Sequence, residues 1–222
     1  MAVSAIVSNH AKYQLGVGAL NLKTNTIKVL LMRSGFVFSK KTHATLLNIH
    51  GAKTAVTLGI NSSKELTDSG EGLIAAGFVP GNQVTISGFT EAGNNCTKII
   101  ATVAAGVITF TDTTGLVEEG AGDSVTVTAD DELATGNGYT QDTEELSGQD
   151  FTEDNDNDLA EMVCDDFFWT PVGDDIGPTP GAILYSDTSA DKTIIGYADF
   201  GSEKAASPGE LFGINNLKIQ LP

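Results

Sequence analysis

No aspartate or glutamate occurs in the first 50 residues of a 222-residue chain that carries 29 of them. That segment holds six cations instead: Lys12, Lys23, Lys28, Arg33, Lys40 and Lys41. Residues 129–222 invert the balance, with 21 acids against Lys192, Lys204 and Lys218. A net charge of −17 argues against nucleic acid as a partner, because the phosphate backbone repels it. The acidic half reads as a solvated face. A sharper reading has the basic front end meeting an acidic surface, its own or a neighbour's.

Cysteine is scarce as well. Cys96 and Cys164 stand far apart, without metal-ligand spacing, and are expected to be reduced, buried thiols rather than a disulfide. No apolar run approaches the length of a membrane span. Ser4, Ser8, Asn9 and His10 interrupt the apolar residues of the amino terminus, so no secretory leader is expected. The expected compartment is cytoplasm-like unless a larger assembly carries the protein out. No segment sustains a helical period.

Strand signals fill the space that helices leave. The clearest are Ala182 to Tyr185 and Thr193 to Phe200, two apolar and aromatic runs around a polar turn, which predict a β-hairpin. A hairpin this apolar is marginal alone and needs further strands to cover it. Thr26 to Met32 is the first expected strand, and Lys40 to Ile49 is expected to be a loop or short helix. Before them, residues 2–22 show no period that one sandwich could bury. They read as an arm that a partner orders, with Val3, Ile6, Val7, Lys12, Tyr13 and Leu15 as candidate interface residues.

Residues 52–128 have a different character. Five short β-like runs, starting at Thr54, Gln83, Lys98, Val107 and Ser124, are punctuated by Gly-rich turns. This predicts a small β-barrel or sandwich inserted into the main domain, whose pattern resumes afterwards. The expected organisation is therefore an arm over 1–22, a main β-sandwich over 23–51 and 129–222, and an inserted domain over 52–128. The fold class is all-β.

Candidate chemistry is thin. Asp154, Asp156, Asp158 and Asp165 fall at positions 1, 3, 5 and 12 of an EF-hand-like loop. However, Leu159 stands where that loop needs glycine, and Asp-Asn repeats make equally good hairpin turns. A metal-free turn is the expectation. His10, His43 and His50 read as surface or satisfied loop residues. Trp169, beside Phe167 and Phe168, could floor a sugar site but reads as core. No enzyme, metal or cofactor is expected.

Several motifs outside the insertion carry a resemblance. They are Thr26 to Leu31 with Ser34, Lys41 to His43, Gly136 to Thr140, Leu146 to Gly148, and Asp165-Asp166 with Trp169. The hairpin segments Ile183 to Thr188 and Ile195 to Gly201 complete the set. Over about 140 residues the chain resembles a family of structural proteins from tailed bacteriophages. The insertion is similar to a β cassette of phage virion proteins, through Leu66 to Gly70, Gly77 to Asn82, Val84 to Gly88 and Ala121 to Val127. In this chain the cassette interrupts the family's link between the His43 region and the Gly136 turn.

The resemblance implies a jelly-roll-like antiparallel β-sandwich that serves as a virion component assembled in the host cytoplasm. A capsid decoration protein is the favoured role: a homotrimer clamping the major capsid protein from outside, with neither nucleic acid nor membrane as partner. Alternatives are a neck, tail or fibre component and, from another class, a carbohydrate-binding module acting through Trp169 and the cassette.

Overall fold

The computed structural model describes residues 2–221, with side chains from Ser4 onward. The chain opens with strand β1 (Ala2–Val7), helix α1 (Asn9–Gly16) and strand β2 (Ile27–Leu31). A short α2 (Leu47–His50) leads to β3 (Ala52–Ala55), β4 (Leu58–Ile60), β5 (Leu66–Asp68) and β6 (Gln83–Ser87). Next come β7 (Thr97–Ala104), β8 (Val107–Phe110), β9 (Val125–Ala129) and β10 (Glu144–Glu145). The last six are β11 (Asp150–Asp154), β12 (Leu159–Val163), β13 (Phe167–Trp169), β14 (Ile176–Ser186), β15 (Ile194–Ala206) and β16 (Phe212–Leu221). The protein is almost wholly β, with two separate and mainly antiparallel sheets.

The chain divides into two compact units, residues 1–46 with 132–222 and residues 47–131. The first holds a nine-stranded sheet in the order β10-β2-β14-β15-β1-β16-β12-β11, with β13 also on β16. Its two outermost strands, β10 and β11, are joined by only residues 146–149. That link can span at most about 18 Å, whereas seven strand spacings in a flat sheet would need roughly 33 Å. The sheet must therefore curl over its core. Inside lie Val29, Leu31, Met162, Trp169, Leu184 and Ile214, among others.

The expected arm is overturned here. Residues 2–7 are an inner strand of this sheet, antiparallel to β15 through Ala5↔Ala198, Ile6↔Tyr197 and Val7↔Gly196. On its other side β1 runs parallel to β16, with Ala5 opposite Ile219. An inner strand has backbone partners on both edges, so small residues suffice to hold it in place. Gly196 permits the close fit, since a Cβ there would come within 2.6 Å of the Ile6 carbonyl oxygen. The chain then turns into α1, where Ser8 Oγ accepts from the Ala11 N–H as an N-cap and donates to the Ile194 carbonyl. Leu20 and Leu22 beyond the helix are buried in the same core.

The second unit is a seven-stranded sheet in the order β3-β9-β6-β7-β8-β5-β4. Its end strands β3 and β4 are separated by two residues, Val56 and Thr57, so this sheet too must curl round its own core. Leu58, Leu66, Val84, Ile100, Val125 and Val127 sit at the centre of that core. Asp131 closes the unit, accepting from Asn82 Nδ2 at 2.6 Å and from the Gln83 N–H at 3.0 Å.

Candidate functional site

In the first unit, one face of the curled sheet buries Ala5, Val7, Ala182, Leu184 and Ala198 in the core. The period-two alternation of a strand sends Ile6, Tyr197, Ile183 and Leu30 to the other face, where they are in register across β1, β15, β14 and β2. Residues 33–46 lie over this outer face. Ser34 Oγ and the Gly35 N–H both donate to Glu203 on β15, at 2.5 and 3.0 Å. At the far end Ala44 accepts from the Ile194 N–H, and the Leu46 N–H donates to Lys192. The segment is thus fastened to the β15 region at both ends.

Between those fastenings four rings pack together. Phe38 stacks on Tyr197 at 5.4 Å with planes 19° apart and on His43 at 5.6 Å, also at 19°. Phe36 is tilted against both His43 and Tyr197. Tyr197 reaches its place because it passes over Gly181, whose missing Cβ would sit 2.4 Å from the Tyr197 hydroxyl. His43 is 1% exposed. Its Nδ1 accepts from the Ser39 N–H at 2.9 Å, while Nε2 has no partner. Burial draws the His43 pKa down to about 4. A surface or satisfied loop role, expected for all three histidines, is corrected for His43: it is a neutral core residue of this outer layer. His10, by contrast, pairs with Asp191 at 2.7 Å.

A groove of about 240 Å³ opens beside the rings, lined by Ile6, Val37, Phe38, Pro180, Tyr197 and Asp199, with Phe36 behind them. Ile6 is 47% exposed and Val37 73%. Burial and the nearby Asp199 carboxylate both push the Tyr197 pKa up, so its hydroxyl stays protonated. A second hollow of about 320 Å³ lies at Leu15, Leu20, Leu22 and Phe151. Asn21, Lys23 and Thr24 supply its polar rim, and Lys23 is engaged by Asp150 at 2.9 Å.

Of the candidate interface residues, Ile6 lines the groove, while Lys12 and Tyr13 are exposed on α1. Val7 and Leu15 are corrected: Val7 is buried in the core, and Leu15 packs half-buried against it. Val3 lies in β1, and its side chain is outside the described residues. Val37, Phe38 and Asp199 escaped sequence reasoning, because nothing local marks a loop that folds back onto a sheet face.

The other motifs resolve structurally. Asp154 Oδ1 accepts from the N–H groups of Asp156 and Asn157, and Oδ2 from Asn157 Nδ2, closing the β11–β12 hairpin. Among the described residues no group of three or more His, Cys, Asp or Glu could hold a metal ion. Trp169 is 5% exposed, packed against Tyr139, Phe167 and Phe212, and cannot floor a sugar site. Cys96 and Cys164 are free and half-buried rather than fully buried. Burial first, then Asp165 and Asp166, push the Cys164 thiol up to about 11.

Comparison with models of known protein families, with curated proteins and with solved structures finds no match to this chain.

Proposed function

We propose that this protein is a structural component of a tailed-bacteriophage virion, a capsid decoration protein with a jelly-roll-like main unit that acts as a trimer. One observation supports a partner-binding role: the outer face of the first unit carries exposed Ile6 and Val37 around an aromatic groove. Apolar groups gathered on an exposed face usually belong to a surface that a partner completes. The virion context rests on the resemblance of the motifs from Thr26 to Gly201 to those of phage structural proteins. The acidic charge keeps the remaining surface soluble at the crowded exterior of a particle.

Copy number per particle tests this reading. Quantitative mass spectrometry of purified virions should find the chain at a fixed, high ratio to the major capsid protein. A handful of copies would assign it to the neck, tail or fibre, and its absence from virions would overturn the proposal.

A further inference from the structure

We propose that the groove at Ile6, Val37, Phe38, Tyr197 and Asp199 is a receptor for an arginine side chain presented by an extended segment of a partner protein. The inference rests on reading this face as a partner surface and adds the chemistry that the surface recognises.

Size comes first. At about 240 Å³ the groove falls below the ~300–1,000 Å³ of pockets that enclose a whole small-molecule ligand. It suits one long side chain. Its walls are apolar and aromatic, which fits the methylene stem and the flat face of a guanidinium.

Charge decides the head group. Asp199 is exposed at the groove, and one of its oxygens, Oδ1, is taken by the Gly201 N–H at 2.8 Å. Oδ2 has no partner among the described residues and remains an acceptor. The Tyr197 hydroxyl likewise makes no hydrogen bond within the described chain, and it stays protonated beside the Asp199 carboxylate. A fixed carboxylate and a phenol oxygen beside aromatic walls are the partners that a forked, planar cation uses best. A lysine would satisfy the charge but not the fork. A second carboxylate would be repelled, both here and by a chain of net charge −17.

The groove is also pre-formed. Residues 33–46 are fastened at Glu203 on one side and at Ile194 and Lys192 on the other, so little ordering is needed when a side chain enters.

The test uses the full-length protein, isotope-labelled for NMR, and the blocked peptide acetyl-Gly-Arg-Gly-amide. Matching Lys, Leu and Glu peptides and glucose serve as controls. The Arg peptide should give saturable shifts confined to Ile6, Val37, Tyr197 and Asp199, with the Lys peptide weaker and the others inert. Asp199→Asn keeps the acceptor for the Gly201 N–H and should fold. It should weaken Arg-peptide binding about fivefold, as loss of a largely exposed charge pair does. Equal affinity in Asp199→Asn would overturn the proposal, and so would equal shifts from the Leu peptide. The absence of any saturable shift at tens of millimolar peptide, or a response to glucose instead, would do the same. Virion copy number does not enter this measurement, so the assignment of the protein to a particle and the assignment of the groove can fail separately.

Discussion

Tyr139 donates its hydroxyl proton to the Glu132 carboxylate at 2.5 Å, and both side chains are buried, at 2% exposure each. The same hydroxyl accepts from the Leu31 N–H at 3.0 Å, and Glu132 Oε1 also accepts from the Asp142 N–H. The phenol thus adds a side-chain tie between the 132–142 loop and β2, beside the backbone bond from the Leu133 N–H to the Leu31 carbonyl at 2.7 Å. Burial, together with the Glu132 carboxylate, pushes the Tyr139 pKa far above its usual value, so the hydroxyl stays a donor.

Tyr139→Phe keeps the ring but removes both hydrogen bonds, taking one donor from the buried Glu132 carboxylate and the hydroxyl acceptor from the buried Leu31 N–H. The expected cost is about 2–3 kcal/mol, read as a lower denaturation midpoint at unchanged slope. A change under half a kcal/mol would show that the loop is held by other contacts.

The strands legible in the sequence are those that carry their own alternation. β2 differs from the expected Thr26 to Met32 by one residue at each end, and β6 spans the expected Gln83 to Ser87. β14 and β15 extend well past the expected hairpin, because the long strands continue through the Pro- and Gly-rich stretch before Ala182 and through polar residues after Phe200. β1 was illegible. Its backbone partners are residues 196–198 and 215–219, and its small side chains take their positions from those neighbours rather than from any local preference. The groove was illegible for the same reason: it exists only once Phe36 to Phe38 have folded back onto Tyr197.

Because β1 is an inner strand, it cannot be dispensable. Deleting residues 2–7 removes the strand between β15 and β16 and exposes the edges of both. The truncated protein should lose its cooperative melting transition or aggregate, as followed by circular dichroism and light scattering. A soluble product with an unchanged transition would contradict the inner-strand placement.

Trp169 makes a sharper comparison than one alanine variant. Trp169→Ala removes a large ring from among Tyr139, Phe167 and Phe212 and should cost about 3–5 kcal/mol. Its indole Nε1, however, is buried without a hydrogen-bond partner. Trp169→Phe loses volume but also removes that unsatisfied donor, so its cost should be clearly smaller. Equal losses for the two variants would mean that a benzyl ring recovers none of the packing that the indole makes with Tyr139, Phe167 and Phe212.

In the second unit Asp68 is the corresponding polar centre. Burial alone would raise its pKa, but hydrogen bonds from Thr57 and from the Gly72 and Gly70 N–H groups, with Lys53 at 3.2 Å, bring it down to about 2. A depressed folded pKa contributes stability that is present above the unfolded value near 3.8 and is lost as pH falls through 2. The shift corresponds to about 2 kcal/mol. Asp68→Asn should abolish that acid-dependent part, and a variant with the parent's full acid sensitivity between pH 4 and 2 would exclude Asp68 as its source.

His43 gives the opposite ionisation with the same direction in pH. The folded protein holds it neutral, with a pKa near 4 against 6.5 for the ordinary side chain, because burial among Phe36, Phe38 and Tyr197 disfavours the cation. The Ser39 N–H adds a geometric demand, since Nδ1 must keep its lone pair to accept that bond. Between pH 6.5 and 4 the unfolded chain therefore binds a proton that the folded chain refuses. Stability is whole above pH 6.5 and falls as pH drops toward 4, by about 3 kcal/mol in total, levelling off below that. Carboxylates also titrate near the lower end of this window, so the measurement is a difference. Urea unfolding of the parent and of His43→Gln at pH 7, 6, 5 and 4 should show the parent losing about 3 kcal/mol more than the variant across the series. The extra loss should begin below pH 6.5, before most carboxylates protonate. Parallel pH profiles would mean that His43 accepts its proton in the folded state, and that residues 33–46 open to let it.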